Sequence, residues 1–239
     1  METQKALFDE YKYKIEMHCH TKPVSFCARC TAQEVAERYK VLGYDGIVLT
    51  NHFNKSDCER RGEGIEKYVE GYIKDYRDLK EECEKLGIRV YLGMEIKFSN
   101  VNANEYLVYG IDEDDVGKAA GYFEGTHEDF YKGFKNDVNL IYQAHPFRQN
   151  MVAMPMDFLD GYEVFNMHPG HNGAPGFAAK YAAQYEGSLK IGGSDFHEPG
   201  REGMIALCTK TLPSSAKEFT DILKKQDFVF RMGDSIIIP

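Results

Sequence analysis

"CTAQEVAERYKVLGYDGIVLTNH", residues 30–52, decides the fold. Thr31 with Glu34 three positions later spells a capping box, the reciprocal pairing of side chains and backbone N–H groups that starts a helix. Val35, Tyr39 and Leu42 then form one apolar stripe at helical spacing, and Gly43 supplies the stop. The run Ile47-Val48-Leu49 shows no polar alternation, so it reads as a strand covered on both faces by helices. It ends at His52. A helix followed by a buried strand that finishes on a metal-capable side chain is one unit of an alternating α/β chain, with its chemistry at the strand's C-terminal end.

Other units appear on both sides of this one. Upstream, "KIEMHCHTKP" (residues 14–23) places His18 and His20 two apart after an alternating run. Residues i and i+2 of a strand project to the same side, so two imidazoles leave this strand together, as in half of a metal site. Downstream, an amphipathic helix from Ile65 to Leu86 carries Tyr68, Tyr72, Ile73, Tyr76 and Leu79 and is stopped by Gly87 before "IRVYLGME", which delivers Glu95. "EYLVYGI" reads as a short strand without an obvious ligand. A helix from His127 to Phe134 precedes "NLIYQAHP", which delivers His145. "GYEVFNMHPGH" delivers Asn166, His168 and His171, and a helix near Phe177 to Tyr185 leads to "LKIGGSDFH", which delivers Asp195 and His197 at the i, i+2 spacing again. "GMIALCT", the helix "SSAKEFTDILKKQ" and the run "DFVFRM" close the chain.

Alternating strands and helices imply parallel strands with right-handed crossovers. Candidate ligands at so many strand ends would not converge in an open sheet, whereas a barrel gathers all its strand ends at one mouth. The expectation is therefore an α/β chain folded as a TIM-like (β/α) barrel of about seven parallel strands. No internal repeat, low-complexity tract or Pro/Ser-rich linker interrupts it, so residues 1–239 read as a single domain.

Lys plus Arg is 29 and Asp plus Glu is 38, a net charge of −9, which repels polyanions and excludes a general nucleic-acid binder. No apolar run approaches the roughly 20 residues a membrane span needs, and the N-terminus lacks the apolar core of a signal peptide, which reads as a cytoplasmic protein without a membrane partner. Six scattered cysteines in a chain of this size read as reduced thiols. Cys27 and Cys30 form one CxxC with no second pair, which reads as a loop rather than a zinc ribbon.

Of the eight histidines only His127, beside Glu128 and Asp129, lies away from a strand end, where it reads as part of a solvated helix face. Imidazole and carboxylate together suit zinc, manganese or iron. The two oxygens of Glu95 could bridge ions roughly 3.5–4 Å apart. Gly192 and Gly193 permit close backbone approach before Asp195. Arg148, three residues past His145, and Arg201, four past His197, stand on loops at the same mouth and suit bidentate contact with a phosphate, with Lys22 a third candidate. Phe53, Phe147 and Phe196 adjoin candidate ligands and could wall the pocket.

The ordered set His18-x-His20, "TNH" ending in His52, "GME" with Glu95, "AHP" with His145, "EVFN" followed by His171, and "SDFH" with Asp195 and His197 resembles the polymerase and histidinol phosphatase (PHP) family, over roughly residues 14–210. Each motif is short; their order along these strands is specific. The resemblance implies a distorted seven-stranded (β/α) barrel, the PHP barrel, with two or three divalent metal ions. It implies His18, His20, Glu95, His145 and Asp195 as metal ligands, with His52 and His197 completing the cluster. For the position supplied after "EVFN", His171 fits the spacing better than His168, which is kept as a residue supporting the ligands or as a proton donor. Ser25 stands where the family commonly has Asp, with Cys27 a nearby substitute, and Asn51 stands where it commonly has the Asp of "TDH".

The function this implies is a metal-dependent phosphoesterase, a phosphomonoesterase acting on a small phosphorylated metabolite through a metal-activated hydroxide, with Arg148 and Arg201 on the phosphoryl oxygens. Three readings stand beside it. One is an amidohydrolase attacking a C–N bond, although Glu95 takes the place of the expected bridging lysine. Another is a non-catalytic regulatory module that binds metal. The last is an exonuclease, which the acidic charge disfavours.

Overall fold

The structure, a computed structural model, describes residues 2–98 and 102–239. The first half of the chain runs α1 (Glu2–Glu10), β1 (Tyr13–Cys19), α2 (Ala32–Val41), β2 (Gly46–Leu49), β3 (His52–Asn54), α3 (Lys55–Arg61), α4 (Ile65–Lys85), β4 (Arg89–Lys97), β5 (Tyr106–Tyr109) and α5 (Glu113–Ala120). It continues through α6 (His127–Phe134), β6 (Leu140–Gln143), β7 (Gly161–Asn166), α7 (Pro175–Ala182), β8 (Leu189–Gly193), β9 (Ala206–Thr209), α8 (Ala216–Lys225), β10 (Phe228–Met232) and β11 (Ser235–Ile237). The capping box forms as read: the Thr31 hydroxyl accepts from the Glu34 N–H at 3.3 Å, and the Glu34 carboxylate accepts from the Thr31 N–H at 2.7 Å. Val35 and Tyr39 are buried beneath α2, whereas Leu42 lies past the last turn and is exposed.

The strands join in the order β11-β10-β9-β1-β2-β4-β5-β6-β7-β8, with β3 beside β4. Pairings β1–β2, β2–β4, β3–β4, β6–β7 and β7–β8 are parallel. This corrects the expectation of an all-parallel, seven-stranded barrel. Among the described residues the sheet is mixed and has eleven strands, with β5 antiparallel to both neighbours and β9, β10 and β11 adding an antiparallel flank to β1. The reason is the link between Lys97 and Tyr106, too short for a crossover helix, which reverses the chain and makes β5 antiparallel to β4. At the other end of the chain, β10 and β11 are separated only by a tight turn at Gly233.

The sheet curls on itself. Just past β8, Phe196 pairs in parallel with Cys19 at the end of β1, its N–H donating to the His18 carbonyl and its carbonyl accepting from the His20 N–H, both at 3.0 Å. Gly193 is required there, because a Cβ would lie 2.4 Å from the His18 Cβ. A buried cluster with Ile15, Val48, Leu107, Tyr142, Ile191 and Leu207 draws on strands all around the curl and fills its concave side. Side chains leaving the C-terminal strand ends stand above this apolar floor and face one another.

Candidate metal centre

β1 ends in His18 and Cys19, and His20 follows directly; β4 carries Glu95 opposite His52 in the parallel register. His145 and Asp195 each stand two residues beyond their strands and hold positive φ angles of 28° and 50°. Such backbone costs on the order of 1–3 kcal/mol per residue and persists where the surroundings enforce it, typically at functional sites. The result is one buried cluster. Glu95 lies 2.9 Å from His145 Nε2, 2.8 Å from His52 Nδ1, 3.4 Å from His18 Nε2 and 3.5 Å from His20 Nε2. Asp195 Oδ1 lies 3.4 Å from each of His18 Nε2, His20 Nε2 and His197 Nδ1.

The chemistry of the set fits a metal. His18 Nε2, His20 Nε2 and Asp195 Oδ1 are buried and have no hydrogen-bond partner, and Glu95 Oε2, buried too, has only the His52 Nδ1 ion-pair contact at 2.8 Å and no hydrogen bond, a costly state for polar atoms unless a cation satisfies them. Among the described residues three overlapping groups have ligand atoms within 4.8 Å of one another: His18, His20 and Asp195; His20, His52 and His197; and His52, Glu95 and Glu105.

The partners behind these side chains set their tautomers. His18 Nδ1 donates to Glu163 Oε1 at 2.9 Å, which leaves Nε2 aimed at the cluster, as when a carboxylate orients a metal-binding histidine. His20 Nδ1 lies 3.1 Å from Ser25 Oγ. The Ser25 hydroxyl gives its one proton to Asn51 Oδ1 at 2.8 Å, so it accepts from His20. Asn51 in turn donates to the buried Asp75 carboxylate on α4 at 2.6 Å. Ser25 and Asn51, the two departures from the family pattern, thus form a relay that holds His20 with its Nε2 lone pair inward. Glu16, fully buried, accepts from the backbone N–H groups of His18 and Ser194 and from the Tyr39 hydroxyl, tying the ends of β1 and β8 together.

Charge inside the cluster is balanced by proximity. Burial disfavours an ionised His18, but Asp195, Glu163 and Glu95 outweigh it and hold that imidazole well above its ordinary value. Burial together with the neighbouring His197 and His52 pushes His20 well below its own. Burial also opposes ionisation of Glu95 and Asp195, yet the adjacent imidazoles, His18 first, keep both far below the usual carboxylate range.

At the mouth lies a cleft of about 310 Å³ lined by Arg148, Arg201, Arg29, His168 and His171, among others. Arg148 reaches Asp195 Oδ2 at 3.5 Å, and Arg201 pairs with Glu198 at 2.9 Å. Two placements differ from the sequence reading. Lys22 does not line the cleft; its exposed ammonium leans toward Glu34, 3.9 Å away on α2. His171 is not drawn into the cluster, because the turn closed by its N–H to the His168 carbonyl leaves it exposed, ring to ring with His168 at 4.6 Å. His168 Nδ1 accepts from the Gly170 N–H at 3.0 Å, which puts the ring proton on Nε2. His127 stacks on Tyr106, away from the site. Sequence reasoning missed Glu105, Glu163, Arg29 and Asp75. The "EVFN" stretch contained Glu163 in plain view, but nothing local marks it as a partner for a histidine 145 positions away.

The curled mixed sheet and the carboxylate-bridged imidazole cluster at its strand ends define a metal-binding α/β protein. The chain belongs to the PHP domain family, whose model matches residues 16–231. Three solved structures share the fold. A two-domain protein from Bacteroides vulgatus, described as containing a PHP-like metal-dependent phosphoesterase, is 16% identical with a TM-score of 0.64 over 92% of this chain, which spans 64% of that protein. A protein from Bifidobacterium adolescentis described as a metal-dependent phosphoesterase is 16% identical with a TM-score of 0.56, covering 87% of this chain and 95% of its own. An amidohydrolase from Chromobacterium violaceum, with sulfate bound and no metal, is 14% identical with a TM-score of 0.51, covering 79% and 89%. No curated protein matches the sequence.

Proposed function

We propose that this protein is a metal-dependent phosphoesterase that removes phosphate from a small phosphorylated metabolite. The observation that carries this reading is the convergence of four buried ligand atoms without a hydrogen bond, on His18, His20, Glu95 and Asp195, beneath an arginine-lined cleft. His145, His52 and His197 complete the ligand set, and Glu95 bridges its two sides. Two or three divalent ions bound there, zinc, manganese or iron, would supply an activated water and neutralise phosphoryl oxygens.

The protein's own groups do the rest. Arg148 and Arg201 bind the phosphate and orient it, and Arg29, on the same cleft wall, is the third cation in place of Lys22. Burial brings His168 down to about 4, so it stays neutral at physiological pH, and its Nε2–H is a hydrogen-bond donor rather than a metal-binding lone pair. Neutral, it donates a hydrogen bond to a phosphoryl oxygen or to the leaving oxygen without giving up the proton. His171 flanks it at the rim. A cleft of about 310 Å³ sits at the small end of the range for small-molecule sites, and the net charge of −9 opposes long polyanions. The protein acts in the cytoplasm on this reading.

The test is hydrolysis of a generic aryl phosphate by purified protein loaded with Mn²⁺ or Zn²⁺, before and after chelation. Phosphate release that chelation abolishes supports the assignment. Turnover of amide substrates alone would transfer the protein to the amidohydrolase reading, and stoichiometric metal without turnover of either class would make it a binding module.

A further inference from the structure

We propose that the Cys27 sulfur is a metal ligand, completing a site with His20, His52 and His197 and giving the cluster one soft corner that favours zinc over manganese. This rests on the metal-centre reading above. The three imidazoles offer nitrogens within 4.8 Å of one another, with ring centroids 4.1 Å (His20 to His197), 4.5 Å (His20 to His52) and 5.8 Å (His52 to His197) apart. His20 is fully buried, and its Nε2 points into this corner without a partner. Three neutral nitrogens leave the fourth position of a tetrahedral ion to an anionic or open ligand.

The loop after β1 sets an exposed thiol on the wall of the same cleft, outside the group of three nitrogens, so a rotation of the Cys27 side chain has to bring its sulfur to that position. Ser25 Oγ accepts from the His52 N–H at 3.0 Å, and the Arg29 N–H donates to the His197 carbonyl at 2.7 Å. The segment is therefore pinned to one histidine on each side of Cys27. The Ala28 N–H closes a turn on the Ser25 carbonyl at 3.0 Å, and Cys27, exposed to solvent, lines the cleft together with His52 and His197. None of the other cysteines lines this cleft: Cys19, Cys30, Cys83 and Cys208 are buried, and Cys58 lies on α3. Thiolate ligands select zinc over manganese, whereas carboxylate and carbonyl oxygens suit manganese, so this corner should discriminate where the Glu95 and Asp195 side does not.

The test uses the full chain loaded to saturation with Co²⁺ and, separately, with Zn²⁺ or Mn²⁺. Wild-type protein should show a sulfur-to-cobalt charge-transfer band in the near ultraviolet that Cys27→Ser loses and Cys58→Ser keeps. Cys27→Ser should weaken the loosest zinc site by about tenfold or more and leave manganese binding within about twofold. Should the variant fold poorly, alkylation of Cys27 by iodoacetamide in the wild-type protein, followed by mass spectrometry, should slow by at least about tenfold when zinc is bound. A fully cobalt-loaded wild type without the band, a band that survives Cys27→Ser, or alkylation indifferent to zinc overturns the proposal. If phosphate release persists in that case, the phosphoesterase reading stands without Cys27; if no metal binds at all, both fall.

Discussion

The two ends of the curled sheet carry two cavities of different character. The larger, about 480 Å³, lies at the N-terminal end of β4 and is lined by Arg89, Tyr91, Gly110, Leu212 and Phe219. Its polar groups are satisfied: Arg89 donates to the carbonyls of Leu212 and Pro213, and the Tyr91 hydroxyl donates to Pro213 at 2.7 Å. The smaller cleft, at the C-terminal strand ends, opens over buried ligand atoms with no hydrogen bond. Volume thus points to one end and unmet bonding capacity to the other. The second is the better guide, since unsatisfied buried polar atoms are retained only where something else completes them.

The largest expected difference between the ends follows from Glu95. Glu95→Gln removes the bridging charge and should cut phosphate release by about 10³-fold or more with loss of bound metal, read by steady-state assay and elemental analysis. Arg89→Met at the opposite end should leave turnover unchanged, and a comparable loss there would erase the distinction. Next comes metal removal. Chelation withdraws ligand-linked stabilisation of about 2.7 kcal/mol if ions are held at 100 times their dissociation constant, which lowers the melting temperature by roughly 5–10 °C by calorimetry. Glu163→Gln keeps the shape but loses the charge behind His18, and competition titration should show metal affinity reduced about 10- to 100-fold.

A smaller effect sharpens the comparison at the back of the site. Burial pushes Asp75 up to about 6 from 3.8, against the opposing hydrogen bonds from Thr21 and Asn51. A carboxyl with a raised folded value binds more protons folded than unfolded across that interval. It therefore favours the folded state below about pH 4 and erodes stability as pH rises toward about 6. Asp75→Asn should flatten that slope by at most about 3 kcal/mol, read from urea melts at pH 4 and 7. An unchanged slope would remove Asp75 from the relay to His20.

Local pattern made much of this legible. The capping box at Thr31, the helix stop at Gly43 and the i, i+2 pairs His18/His20 and Asp195/His197 are statements about neighbouring residues, and their geometry is fixed by helix and strand periods. The direction of β5 was not legible, because an apolar run is the same read either way, and only the short link after Lys97 forces its reversal. Lys22 and Arg29 look equivalent in sequence, yet a loop pinned at the His197 carbonyl sends only the second to the cleft.

By itself the sequence determined which side chains stand at strand ends and that they are of a kind that binds metal. The tertiary structure alone decided which carboxylates face which imidazoles, that Ser25 and Asn51 orient His20, and that His168 carries its ring proton on Nε2 while His171 stays at the rim. The physical reason is distance along the chain. Side-chain alternation is encoded within a few residues, whereas the meeting of His18 with Glu163 depends on how far the whole sheet curls before its ends touch at Cys19 and Phe196.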